Sequence, residues 1–359
     1  MIEKKIKLKN FGHISNRVVV SPMCQYSSIN GDPSEWHYKH LSSLICSGAS
    51  MLILESTAIN KIGRITQNDL CLFNDKHEKK LRKLIKFLKK IKNIPICLQI
   101  SHSGRKGSSN LPWVNSGKYL KKNYWKTISS SDLKKDLNSK IPKKANLNDI
   151  KKIILDFSNT AKRAFRAGFD GIEIHMAHGY LIHQFLSPIC NIRDDKYGGS
   201  LENRCRLAVE ITEKIKKNLP KDKILGARIT GTDHLNGGID IDEAIYLAKK
   251  LENLKLDYLC VSSGGIIPKT NMNPNINAFR INITKKIKKS VKSILIGSTG
   301  NLTSLKSVNK YIKKGYIDFI FVGRQFLINP NWLYQKMRIE VIPKQYLKAF
   351  NKNFFKRIK

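Results

Sequence analysis

Eight short apolar runs, separated in most cases by longer stretches with apolar residues at helical spacing, constrain the fold of this chain more than any other feature. The runs span 17–23, 51–55, 95–100, 171–175, 224–229, 258–262, 293–297 and 319–323. Amphipathic stretches at 75–92, 148–167, 201–217, 241–254 and 302–314 lie between them. Alternation of this kind implies a parallel sheet, because parallel neighbours need a crossover that a helix supplies. Eight such units in 359 residues predict an α/β fold, a single (β/α)8 TIM barrel. The expected domain is one unit over 1–359, with a barrel core at about 8–340 and a C-terminal tail at about 341–359. One irregular insertion, roughly 101–145, follows the third strand and is too long for a turn. In a barrel it belongs at the C-terminal face, where loops build the active site.

Charge and cysteine use narrow the setting. Lys and Arg number 66 against 27 Asp and Glu, a net charge of +39. The excess is mostly lysine spread over every helical stretch, which reads as solvated helix faces and not as a nucleic-acid footprint. No apolar run approaches the roughly 18 residues of a membrane span. The N-terminus lacks the apolar core of a signal peptide. Seven dispersed cysteines with no CxxC spacing suggest reduced thiols and a cytoplasmic protein.

The predicted strand ends carry the chemistry. Strand one ends in Ser21-Pro22-Met23-Cys24-Gln25-Tyr26, strand two in Glu55-Ser56, and strand three in Gln99, with His102 to Lys106 just beyond. Strand four runs into His175, His178 and Tyr180, and strand five carries Arg228. Gly297 and Gly300 follow strand seven, and Gly323-Arg324 close strand eight. Glycines at those two places let backbone N–H groups approach a phosphate, and Arg324 adds charge. A phosphate there, an amide at Gln99 and a cation at Arg228 suit flavin mononucleotide: the amide can bond the pyrimidine edge and the arginine can stabilise the reduced ring. Two imidazoles converging on one spot can donate hydrogen bonds to a substrate oxygen or bind a metal, and a nearby phenol can deliver a proton. A zinc site would want a further ligand of suitable geometry, nominally His102 or Cys24.

On these residues the chain resembles the old yellow enzyme family of FMN-dependent ene-reductases, in its branch of bacterial NADPH dehydrogenases and xenobiotic reductases. The matching segments are NRVVVSPMCQYSS, ESTAINKIGRIT, LQISHSGRK, HMAHGYLIHQFLSPICNIRDDKYGGSLENR and FVGR. They span the chain from Leu8 to about Phe350, and the long segment is highly specific. Pro112-Trp113 and residues 267–271 look most like the xenobiotic-reductase members.

The resemblance implies a role for each position. Ser21, Pro22, Met23 and Cys24 line the flavin, with Cys24 tuning its potential and touching substrate. Ser56 sits against the ring, where relatives often have alanine. Gln99 and Arg228 hold its pyrimidine side, and Gly300, Gly323 and Arg324 its phosphate. His175 and His178 grip the substrate carbonyl, Tyr26 hydrogen-bonds substrate, and Tyr180 is the proton donor. Lys106 falls on a family lysine near the flavin. NADPH, with NADH as the alternative, supplies hydride that passes through the flavin to the activated C=C bond of an α,β-unsaturated carbonyl or nitro compound. No metal is implied. The expected assembly is a homodimer or homotetramer, with no specific nucleic acid and no membrane as partner. One departure stands out: Lys348 and Phe350 lie where relatives place an arginine and a tryptophan near the partner's active site.

Three other readings are less well supported. A dihydrouridine-synthase-like barrel would use the basic charge, but the HMAHGY and YGGSLENR segments fit the ene-reductases. A dienoyl-CoA-reductase relative would want clustered cysteines after the barrel. A binder that has merely kept the fold would not need the full set of flavin and substrate residues.

Overall fold

The computed structural model describes residues 1–268, 278–337 and 339–350. Residues 269–271 of the xenobiotic-reductase-like segment, and the end of the tail from 351, lie outside them. Eight parallel strands form a closed barrel: β1 (Val18–Val20), β2 (Met51–Ala58), β3 (Ile96–Ser101), β4 (Gly171–Met176), β5 (Ile224–Thr230), β6 (Tyr258–Ser262), β7 (Leu295–Ser298) and β8 (Phe319–Val322). Each pairs with its neighbours in sequence, and β8 closes on β1 through Ile320 and Val18. Nearly every strand residue is buried, as expected where helices cover the outer face and side chains fill the inner one.

Helices α1 (Glu35–Ile45), α2 (Asp75–Ile91), α3 (Leu147–Arg166), α4 (Leu201–Lys217), α5 (Ile241–Asn253), α6 (Ile281–Ser290) and α7 (Leu305–Lys313) surround it. Short polar side chains set several starts: Asn74, Asn146, Asp240 and Ser304 each accept a backbone N–H of the first turn. Ser304 explains why the last of these helices begins at Leu305 and not at the expected 302.

Two strand boundaries differ from expectation for identifiable reasons. Strand one stops at Val20, because Pro22 has no N–H to continue the ladder. Strand two runs beyond Glu55 to Ala58, resuming its pairing with β3 after a register shift between Leu54 and Thr57. Glu55 and Ser56 look like a solvated end in sequence, yet both are buried.

The hairpin of Ile6–Leu8 and Gly12–Ile14 packs Ile6, Leu8 and Ile14 into the inner cluster with Met51, Ile224, Tyr258 and Phe319. Those four residues start their strands, so the hairpin closes the N-terminal end and leaves the opposite face for chemistry. On that face the insertion after β3 is tied down by two buried arginines. Arg193 donates to Ser130 O and Ala145 O, both at 2.7 Å, and Arg105 donates to Leu133 O and Lys134 O. Among the described residues no helix is long and apolar enough to cross a membrane.

Phe157 of α3 is fully buried in the outer layer between helix and barrel. Phe157→Ala is expected to lower the unfolding free energy by about 3–5 kcal/mol in urea titration, through lost burial and a residual cavity.

Candidate active site at the C-terminal face

The histidine segment is held by its backbone as much as by its side chains. His175 closes the inward-facing row of β4, and His178 lies in the turn beyond with φ of +59°, a left-handed conformation rare for a residue with a side chain. Lys106 Nζ donates to His178 O at 2.8 Å and to Gly265 O at 3.1 Å, joining this turn to the loop after β6. A Cβ on Gly179 would lie 2.2 Å from Gly265 O, so only glycine lets the two backbones approach this closely. From below, the N–H of Gly179 donates to His183 Nδ1 at 2.7 Å, and His183 Nε2 lies 3.0 Å from Asp233 in a fully buried pair.

The rings of His175 and His178 meet edge to face at 5.1 Å, and those of His175 and Tyr180 at 4.8 Å. Ala177 N–H points at His175 Nδ1, which places the proton of a neutral ring on Nε2, the donor end. His178 Nε2 is 2.7 Å from Ser262 Oγ. Burial pulls both imidazoles well below their usual pKa, with nearby Arg228 and Lys106 acting in the same direction. They are neutral at physiological pH. Burial raises the Tyr180 phenol well above its usual range, so it keeps its proton. Lys106 Nζ stands 5.3 Å from the centre of the Tyr180 ring. Burial brings this lysine down to about 8.

Beyond β1 the chain leaves the barrel through Cys24 and Tyr26, the latter with φ of +50°. Cys24 is half-buried; its sulfur interacts with the Ser56 backbone N–H and the Tyr26 hydroxyl. Buried Glu55 accepts from the Gln25 N–H at 3.0 Å and lies 3.2 Å from His37 Nε2, which anchors the loop. Burial, then Glu55 and Asp69, push the Cys24 thiol well above its usual range.

A cavity of about 350 Å³ opens beside these groups. Its walls bring together Ser21, Pro22, Met23, His178, Arg228, Gly300, Gly323 and Arg324, with Gly323 packed against Met23 and Ser21. Cys24, Tyr26, Ser56, Gln99, His175 and Tyr180, though expected at the site, do not line this cavity. Gln99 lies deeper in the barrel, beside Arg228 through Glu173. Sequence reasoning missed two members of the site. Arg280, just before α6, lines the cavity and donates to Ser263 Oγ at 2.8 Å and Thr299 Oγ1 at 3.2 Å. Arg324 is exposed, whereas Arg280 is partly buried and braced. No motif marked Arg280, since no strand-like run directly precedes it in sequence. The other is Glu173, an acid inside the apolar run of β4, whose position was the available signal. A cavity walled by glycine backbone with Arg280, Arg324 and the buried Arg228, and with the Gln99 amide beyond Arg228, suits the phosphate and pyrimidine of a flavin nucleotide.

Phe350, one of the two departures in the tail, packs on Tyr334, whose hydroxyl donates to Cys46 O at the end of α1. That is the N-terminal end of the barrel, so Phe350 does not enter its own chain's site.

The comparisons with known proteins concern the whole chain. The model of the NADH:flavin oxidoreductase / NADH oxidase family matches residues 4–340. An NADPH dehydrogenase of Clostridium acetobutylicum is 38% identical over 347 residues, 94% of this chain and 96% of its own. An NADPH dehydrogenase of a Geobacillus species is 34% identical over 324 residues, 89% of each chain. Among solved structures, morphinone reductase matches the fold with a TM-score of 0.76 at 22% identity, covering 99% of this chain and 92% of that one. An old yellow enzyme homologue from Zymomonas mobilis matches with a TM-score of 0.76 at 23% identity, covering 92% and 90%. The chain belongs to the NADH:flavin oxidoreductase / NADH oxidase family, that of the old yellow enzymes, and is a flavin-dependent NAD(P)H oxidoreductase.

With its pKa raised, Cys24 holds little thiolate at neutral pH, and the thiolate is the reactive form. Cys24 is expected to alkylate with iodoacetamide at pH 7.5 far more slowly than glutathione, followed by peptide mass spectrometry. Equal rates would show that the thiol is not protected in this way.

Proposed function

We propose that this enzyme binds FMN and reduces the activated C=C bond of α,β-unsaturated carbonyl or nitro compounds with NADPH as hydride source. The observation that carries the reading is the cluster of His175, His178 and Tyr180, two neutral imidazoles and a protonated phenol within ring contact, of which His178 lines the cavity. NADPH is favoured because the relatives at 38% and 34% identity are both NADPH dehydrogenases.

Bound FMN would supply hydride transfer, first accepting hydride and then giving it to the substrate. The residues do the rest. His175, and His178 braced by Ser262, donate hydrogen bonds to the substrate oxygen and stabilise the charge that grows on it. Donors aimed at such an oxygen contribute about 3–4 kcal/mol each. Being neutral, the rings donate without introducing a fixed charge. Tyr180 holds a proton at its hydroxyl for the α-carbon of the alkene, and Lys106 near its ring favours the developing phenolate. Cys24, as a thiol, and Tyr26 shape the wall above β1. Arg280 and Arg324 hold the phosphate beside Gly300 and Gly323.

Tyr180→Phe keeps the ring packing and removes the acidic proton. In stopped-flow it is expected to slow 2-cyclohexenone reduction by 10²-fold or more, within the range of general acid catalysis. Reduction of the flavin by NADPH should stay near the parent rate. Unchanged enone reduction would remove Tyr180 as proton donor, and enone left unreduced by the parent protein would overturn the ene-reductase reading.

The phosphate end makes a second test. Arg280→Met is expected to weaken FMN binding more than Arg324→Ala does, because the braced side chain loses less freedom on binding. Neither variant should much change riboflavin binding, measured by quenching of flavin fluorescence.

A further inference from the structure

We infer that Glu173 is a positioning residue that sets the direction of the Gln99 amide and the charge Arg228 presents to the flavin, and thereby keeps the flavin's reduction potential low. The inference rests on the flavin reading above.

Glu173 is the third residue of β4 and is fully buried. It stands opposite Gln99 across the β3–β4 ladder, and Arg228 stands opposite His175 across the β4–β5 ladder. This register brings the three side chains together inside the barrel. Glu173 Oε1 accepts from Gln99 Nε2 at 2.7 Å and from Arg228 Nε at 3.0 Å, while Oε2 accepts from the Tyr258 hydroxyl at 3.2 Å. A barrel interior needs no carboxylate for packing, and one buried there is strongly disfavoured unless paired. Its partners are the amide and the guanidinium proposed to meet the pyrimidine ring.

Two consequences follow. An ionised carboxylate can only accept, so the amide end facing it is the NH₂ group. The Gln99 carbonyl oxygen is then the end that turns to the ligand, as a partner for a ring N–H. Arg228 in turn spends its Nε on Glu173 and one terminal nitrogen on Ser21 Oγ at 3.3 Å, with its guanidinium near the Phe321 ring. The Arg–Glu pair is close to neutral overall. Reduction places negative charge on the ring, and a neutral pair stabilises it less than an uncompensated cation would. Arg228 is therefore restrained by a carboxylate placed behind it.

The test is the flavin midpoint potential of FMN-loaded protein, by anaerobic dye-equilibration titration at fixed pH and salt, alongside FMN stoichiometry. Glu173→Gln has nearly the same shape without the charge, and its potential is expected to move to a more positive value. Tyr258→Phe removes the hydroxyl that shares the carboxylate's charge and is expected to move the potential the other way, by less. Should Glu173→Gln fail to fold, Tyr258→Phe decides alone. With FMN bound at one per chain, potentials equal to the parent's overturn the inference and leave the flavin reading standing. A parent protein that takes up no flavin on reconstitution overturns the reading beneath it.

Discussion

Closure of eight parallel strands into a ring removes every sheet edge and sends every strand end with the same sense to one rim. The site depends on that geometry. Cys24, Ser56, Gln99, His175, Arg228, Ser262, Gly300 and Arg324 come from eight different βα units, yet closure places them at or just below one rim. The hairpin Ile6–Leu8 and Gly12–Ile14 completes the arrangement by closing the opposite end with apolar side chains.

Along the axis the interior changes character. The lower layer is apolar, with Met51, Ile224, Tyr258 and Phe319 against the hairpin. Above it lies the polar layer of Gln99, Glu173 and Arg228, in which Glu173 accepts from both of the others. The rim then holds neutral imidazoles, a protonated phenol and a protonated thiol. One cause, withdrawal from water, keeps all four groups uncharged, while Arg228 is paired with Glu173. The result is a rim of uncharged hydrogen-bonding groups with Arg228 and Lys106 close by.

Shape at the rim is maintained by unlike contacts that converge on one turn. Lys106 joins the His178 carbonyl to the loop after β6, Gly179 permits the close approach, and the His183–Asp233 pair supports the turn from beneath. His178 accepts a strained backbone because these contacts over-determine it. Sequence alone does not reveal that Lys106 and Gly179 act on the same turn.

The barrel was legible in the sequence because its cause is local. Periodic burial of strands and helices is written into hydrophobic spacing, and the short polar residues before the helices are written in as caps. Candidate chemistry was legible where polar residues interrupt or end apolar runs, as at Cys24, Gln99, His175, Arg228 and Gly323. Arg280 was not, because no strand-like run directly precedes it in sequence and its place beside Gly300 depends on how β7 and α6 pack. Glu173 was visible as an anomaly inside β4 without an explanation. The alternation and the strand-end residues are thus determined by the order of side chains along the chain. The pairing of Glu173 with Gln99 and Arg228, and the neutral state of the histidines, were decided only by tertiary structure, since register and burial set those distances and the local solvation.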